Sequence, residues 1–159
     1  MKTLIAYYSL SGNTDRIARL FADRLNAKGE AILRRLEPPE DAAGFTSRCR
    51  DAFSRRRAAL GPDVSFDVSP YDLIIIGCPI WAFAPAPAMN SYLDKINGLH
   101  GKKVVVLLTS GNRLWVNRCF KSIRNVLQGK GASSVDEIFI PDRKRADTAF
   151  ITSSISKYL

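Results

Sequence analysis

The hydrophobic positions along this chain alternate between two periods. Residues 2–8 (KTLIAYY) form a continuous apolar, aromatic-rich run, which predicts a first strand. Turn residues follow at 9–12. Ile17, Leu20, Phe21 and Leu25 then recur at helical spacing, with Ala18 and Ala22 beside them. That predicts an amphipathic helix over about 14–28, ended near Gly29. Residues 30–36 predict a second strand, closed by Pro38-Pro39. Residues 71–78 (YDLIIIGC) are the strongest strand signal, and so long an apolar run suits a parallel strand buried on both faces. Pro85 and Pro87 suit the first turn of a helix carrying Met89, Tyr92, Leu93 and Ile96. Residues 102–109 predict a fourth strand. Val116, Phe120, Ile123 and Leu127 mark a helix from about 115 to 128. Residues 134–140 predict a fifth strand, and 146–158 a last helix with Phe150, Ile151, Ile155 and Leu159 inward.

Strands that alternate with helices imply an α/β architecture: a five-stranded parallel sheet with helices on both faces, three layers in all. Right-handed crossovers give the order 2-1-3-4-5, with a switch point between strands 1 and 3. Ligands in such sheets bind beyond the carboxyl ends of the strands at that point. The loops 9–14, 79–84 and 109–114 should therefore converge. Residues 37–69 break the pattern with Pro38, Pro39, Gly44, Gly61 and Pro62, and a short helix near 46–59 is the expectation there. No repeat or linker divides the chain, so residues 1–159 read as one domain.

Composition changes this picture in two places. The formal charge is +9, which bears on partners rather than on fold. Three cysteines, Cys49, Cys78 and Cys119, are an odd count without CxxC spacing. A disulfide framework or zinc site is not indicated, and a reducing cytoplasmic setting is expected. The first strand is too short and too quickly followed by Ser9, Ser11 and Asn13 to read as a secretory leader. No run approaches the length of a membrane span. His100, before Gly101, reads as a loop residue, and Cys78 as a small buried hydrophobe.

The first loop carries the chemistry. Ser9, Ser11 and Thr14 supply three hydroxyls within six residues, Gly12 allows a sharp turn, and the loop opens into a helix. Backbone amides, hydroxyls and the helix N-terminus can together cradle a phosphate. The competing reading is a plain turn in which Asn13 or Thr14 caps the helix. The GK[ST] of a Walker A loop and the GxGxxG of a dinucleotide fingerprint are both absent.

These residues also carry a resemblance. Y-Y-S-L-S-G-N-T after strand 1 resembles the phosphate loop of flavodoxins. Gly77-Cys78-Pro79-Ile80-Trp81-Ala82 with Pro85-Ala86-Pro87-Ala88 resembles that family's G-x-P-[IV]-W-A…P-A-P segment, and Thr109-Ser110-Gly111 its T-S-G. The resemblance spans most of the chain, least clearly over 38–66, and implies a flavodoxin-like fold that binds FMN. It implies phosphate contacts at Ser9, Leu10, Ser11, Gly12, Asn13 and Thr14. Pro79, Ile80, Trp81 and Ala82 would border the isoalloxazine, and Thr109, Ser110, Gly111 and Asn112 its pyrimidine end. Trp81 would stack on the ring or else be a packed or partner-facing aromatic, and Trp115 or Tyr8 is a candidate for the other face. Residues 134–140 run straight into Asp142, which is the pattern of a short-chain member.

The charge departs from that family's acidic pattern. The three loops contain no Asp or Glu, and Arg113 and Arg118 lie just beyond the third. A cation about 7 Å from the flavin, at an effective dielectric near 40, favours added negative charge by roughly 1 kcal/mol. The expected consequence is a less reducing flavin. Arg48, Arg50, Arg55, Arg56 and Arg57, opposed in sequence only by Asp51, read as a solvated face or as a site for an anionic partner. An acidic redox protein or the phosphate of NAD(P)H would fit. No nucleic-acid motif accompanies the cluster. Arg143, Lys144 and Arg145 read as surface charge. An FMN electron carrier and an NAD(P)H-dependent FMN oxidoreductase both follow from the resemblance, because the flavin supplies the chemistry in each. A non-catalytic partner-binding module is the third reading.

Overall fold

A computed structural model describes residues 1–37 and 57–158. The elements are β1 (Lys2–Tyr7), α1 (Asn13–Asn26), β2 (Glu30–Arg35), β3 (Leu73–Trp81), β4 (Ala84–Pro85), α2 (Pro87–Lys95), β5 (Lys103–Ser110), α3 (Val116–Gly129), β6 (Ser134–Pro141) and α4 (Thr148–Ile155). One-turn 3₁₀ segments at Asp142–Lys144 and Ser156–Tyr158 flank α4.

Five strands run parallel in the order β2-β1-β3-β5-β6, which is the predicted order 2-1-3-4-5. The sixth, β4, folds back antiparallel on the end of β3, pairing Ile80 with Pro85 and Trp81 with Ala84. The apolar pattern ends strand 3 at residue 78 and predicts a loop over 79–84. The strand in fact continues through Trp81, because the returning chain supplies pairing partners that no local pattern reveals.

The apolar runs are long because the sheet is covered on both sides. Leu4, Ile74, Ile76, Val104, Val106 and Leu108 face a core roofed by α2 and α3. Ile5, Tyr7, Leu73, Ile75, Val105 and Leu107 face the core under α1 and α4. This period-two division within each run splits one hydrophobic stretch between two cores. Gly77, near the end of β3, has a packing reason. A Cβ there would lie 3.3 Å from Tyr7 Cβ, a tight approach, and 3.5 Å from Thr14 Cγ2, an ordinary contact, so the crowding comes from the adjacent strand β1.

The helix expected near 46–59 lies outside the described residues except for its last three, which are not helical. Of the arginine cluster, Arg48, Arg50, Arg55 and Arg56 also lie outside, as does Leu159. Arg57 corrects the reading that only Asp51 opposes this cluster: it grips Asp94 of α2 with two guanidinium nitrogens, Nη2 to Oδ1 at 2.9 Å. Among the described residues no helix is long and apolar enough to cross a membrane.

Candidate functional site

The loops after β1, β3 and β5 converge at the carboxyl edge of the sheet, on the switch point between β1 and β3. They enclose a cavity of about 180 Å³. Its lining includes Ser9, Leu10, Ser11, Asn13 and Thr14 from the first loop, Pro79, Ile80 and Trp81 from β3, and Thr109, Ser110 and Gly111 from β5.

The first loop turns at Gly12, whose φ of 84° is left-handed. No side chain caps α1, and its first turn closes with Arg16 N–H donating to the Gly12 carbonyl at 3.0 Å. The capping reading of Asn13 and Thr14 therefore fails. Their amides, with that of Asp15, lack intrahelical acceptors and stand at the positive end of the helix dipole. The buried Thr14 hydroxyl instead meets Thr109 Oγ1 at 3.1 Å, tying the first loop to the third. Just behind, the buried Tyr7 hydroxyl donates to Asp15 Oδ1 at 2.5 Å, and Arg19 Nε donates to Asp15 Oδ2 at 2.9 Å. The Arg19 bond holds the Asp15 carboxyl below its usual range; burial pushes the other way, and the Tyr7 bond adds a lesser lowering. Burial and the Asp15 bond push Tyr7 up to about 12.

The second segment is a tight hairpin. Ala82 and Phe83 at its tip both have positive φ, 42° and 73°, the signs a type I′ turn requires. With Trp115 (φ 68°), they are the non-glycine positive-φ residues among those described. All three lie in the segments that follow β3 and β5, and such strain, of order 1–3 kcal/mol per residue, persists when neighbouring structure over-determines a shape. The Phe83 and Trp115 rings touch at 5.0 Å between centroids. Trp81 lines the cavity and packs edge-on against the buried Tyr8, at 5.4 Å and 83°.

Eleven of the fourteen expected site residues thus line one cavity. Gly12, Ala82 and Asn112 do not: Gly12 turns the loop behind it, Ala82 caps the hairpin, and Asn112 accepts from the Leu114 amide at 2.9 Å while lining a neighbouring groove. Neither Tyr8 nor Trp115 lines the cavity. His100 is exposed and stands apart from it, and burial pushes the Cys78 thiol up to about 12, which suits an inert core position.

The structure also adds two charged groups. Arg35, at the end of β2, donates from Nη2 to the Ser9 carbonyl at 3.4 Å, bringing a cation to a phosphate loop that has none of its own. Asp142, just past β6, lines the cavity. Both could have been sought in the sequence, since the order 2-1-3-4-5 also delivers the ends of strands 2 and 5 to this edge. The expected surplus of positive charge is corrected accordingly. Arg113 lies over the Phe139 ring and Arg118 over Trp115, both at 5.5 Å, and neither lines the cavity, whereas a carboxylate does.

Comparison with known proteins agrees with this architecture. A family model described as Flavodoxin matches residues 2–133. A flavoprotein from Bacteroides eggerthii superposes with a TM-score of 0.75 at 21% identity, covering 98% of this chain and 96% of that one. A flavoprotein from Lactobacillus acidophilus, solved in complex with FMN, gives 0.70 at 21% identity over 93% and 98%. An NADH:FMN oxidoreductase gives 0.68 at 17% identity over 99% and 88%. No curated protein matches the chain.

Proposed function

This chain belongs to the flavodoxin family, and from that premise we propose that it binds FMN in the cleft between the three loops and serves in electron transfer. The observation that carries the proposal is the uncapped N-terminus of α1. Free amides at Asn13, Thr14 and Asp15, a left-handed turn at Gly12 and the hydroxyls of Ser9 and Ser11 form a donor set with no acceptor among the described residues, while the Thr14 hydroxyl pairs with Thr109 beneath. That set fits a phosphate dianion. Arg35, itself paired with Glu37 at 3.2 Å, donates to the back of the loop.

FMN, when bound, supplies one- or two-electron transfer, and the protein's part is binding, orientation and electrostatics. Pro79, Ile80 and Trp81 would border the ring system. Thr109, Ser110, Gly111 and Asn112 would meet its pyrimidine end, with Thr14 and Thr109 locked together beneath. Gly12 and Ala82 would act through the shape of the first loop and the hairpin. The exposed Leu10, Phe83, Leu114 and Trp115 all lie on these three loops. An apolar rim of this kind at a cofactor mouth suits a transient partner.

A second reading, an NAD(P)H-dependent oxidoreductase, draws on the NADH:FMN oxidoreductase among the solved structures and on a basic groove beside the cleft.

The test is the absorbance spectrum of the purified protein before and after adding FMN. Saturable binding with a perturbed flavin spectrum is expected. Thr14→Val, which breaks the bond to Thr109 that ties the first loop to the third, should weaken binding about tenfold or more. A protein that takes up no FMN would return the chain to the partner-binding reading.

A further inference from the structure

The groove beside the cleft is larger than the cleft itself, about 510 Å³, and belongs to the free edge of β6. Arg113 enters it from the loop after β5, and Arg143 and Lys144 from the 3₁₀ turn after β6. Its apolar lining is Phe139, Pro141 and Phe150. Arg113 lies over Phe139 and Lys144 over Phe150, each at 5.5 Å. Asp147 offsets one charge, pairing with Lys144 Nζ at 2.8 Å. Arg113 and Arg143 pair with no carboxylate among the described residues, and both are exposed. The groove therefore presents two guanidinium groups, from different loops and unmatched among the described residues, beside two rings that each carry a cation over one face.

This combination selects a class of ligand. A lone phosphate would leave the rings and most of the volume unused, and the volume falls within the range of small-molecule sites. A planar heteroaromatic base has faces for the phenylalanine rings, and anionic groups at two positions match two separated guanidinium groups. Gly111 lines both this groove and the cleft, so the two adjoin at that residue, with the Asp142 carboxylate beside it. We propose that the groove binds the adenosine 2′,5′-bisphosphate half of a pyridine dinucleotide, leaving the nicotinamide arm to pass Gly111 into the cleft. This inference rests on the reading that the cleft holds FMN, but the groove can be tested by itself.

The experiment is calorimetric titration of FMN-supplemented protein with adenosine 2′,5′-bisphosphate and, separately, with AMP. Saturable binding of the bisphosphate is expected, at least tenfold tighter than AMP and weakened by added salt. Arg143→Ala should weaken it about tenfold. Arg143 is exposed, so the fold should persist, and unchanged FMN affinity in the same variant would verify that. Phe150→Leu should cost several-fold through lost stacking. Absence of saturable binding up to about 10 mM, equal affinity for AMP, or wild-type binding in Arg143→Ala would each overturn the proposal. Bisphosphate binding without FMN uptake would sink the cofactor reading and leave the groove standing. FMN uptake without bisphosphate binding would do the reverse.

Discussion

Gly12→Ala isolates the geometry of the phosphate loop from its chemistry. The residue sits at φ 84°, and a Cβ added there meets nothing within 4 Å, so the substitution brings no clash. Its whole effect is conformational. An L-residue in the left-handed region costs about 1–2 kcal/mol. Gly12 is exposed, so without ligand the variant loop can relax out of that region. Binding must then restore it, and the strain appears as lost affinity: about 1–2 kcal/mol, or roughly 5–30-fold in the Kd for FMN. Stability without ligand should change little, because relaxation removes the strain and alanine also restricts the unfolded chain by about 0.4–1 kcal/mol. Flavin fluorescence titration measures the first quantity and urea unfolding of the ligand-free protein the second. Gly12→Asn is the control, since asparagine tolerates the left-handed region and should stay within about threefold of the parent. An alanine variant that binds FMN within about twofold of the parent would refute the argument that a left-handed Gly12 organises the site.

Three further outcomes are expected. Thr3 is buried in β1 and its hydroxyl has no partner among the described residues, so Thr3→Val should stabilise the protein by about 1 kcal/mol, raising Tm by about 3 °C. A fall in Tm would contradict this. Tyr7 is raised from 10.0 to about 12 by burial and by its bond to Asp15. The folded state then favours the neutral phenol, so this stabilisation is complete below pH 10 and is lost as pH rises from 10 towards 12. Urea unfolding across that window should show Tyr7→Phe losing about 1 kcal/mol less than the parent, after discounting for solvent screening; parallel losses would count against it. Asp142→Asn removes the carboxylate from the cleft. At about 7 Å and an effective dielectric near 40, the potential of bound FMN should rise by about 40–60 mV per electron. An unchanged potential in a spectroelectrochemical titration would place the carboxylate too far from the ring to act.

The layers and the strand order were legible in the chain because each rests on local information. Runs such as Leu73–Cys78 and Lys103–Thr109 are apolar at every interior position, which only a strand covered on both faces tolerates. Strand–helix alternation with right-handed crossovers then leaves few orders for five strands. From that order alone the three loops had to meet, and Ser9, Thr14, Pro79 and Thr109 do meet around one cavity. What the tertiary structure decided concerns groups whose partners are distant in sequence. The backbone of Ala84–Pro85 extends β3 through Trp81. Asp94 on α2, distant in sequence, pairs with Arg57. Arg113 turns away from the cleft onto Phe139, while Arg35 and Asp142 arrive at it from the two edges of the sheet. Hydrophobic periodicity reports how each element meets the core. The placement of a charge depends on through-space partners and on where each loop comes to rest, and those were settled only when the sheet edge assembled.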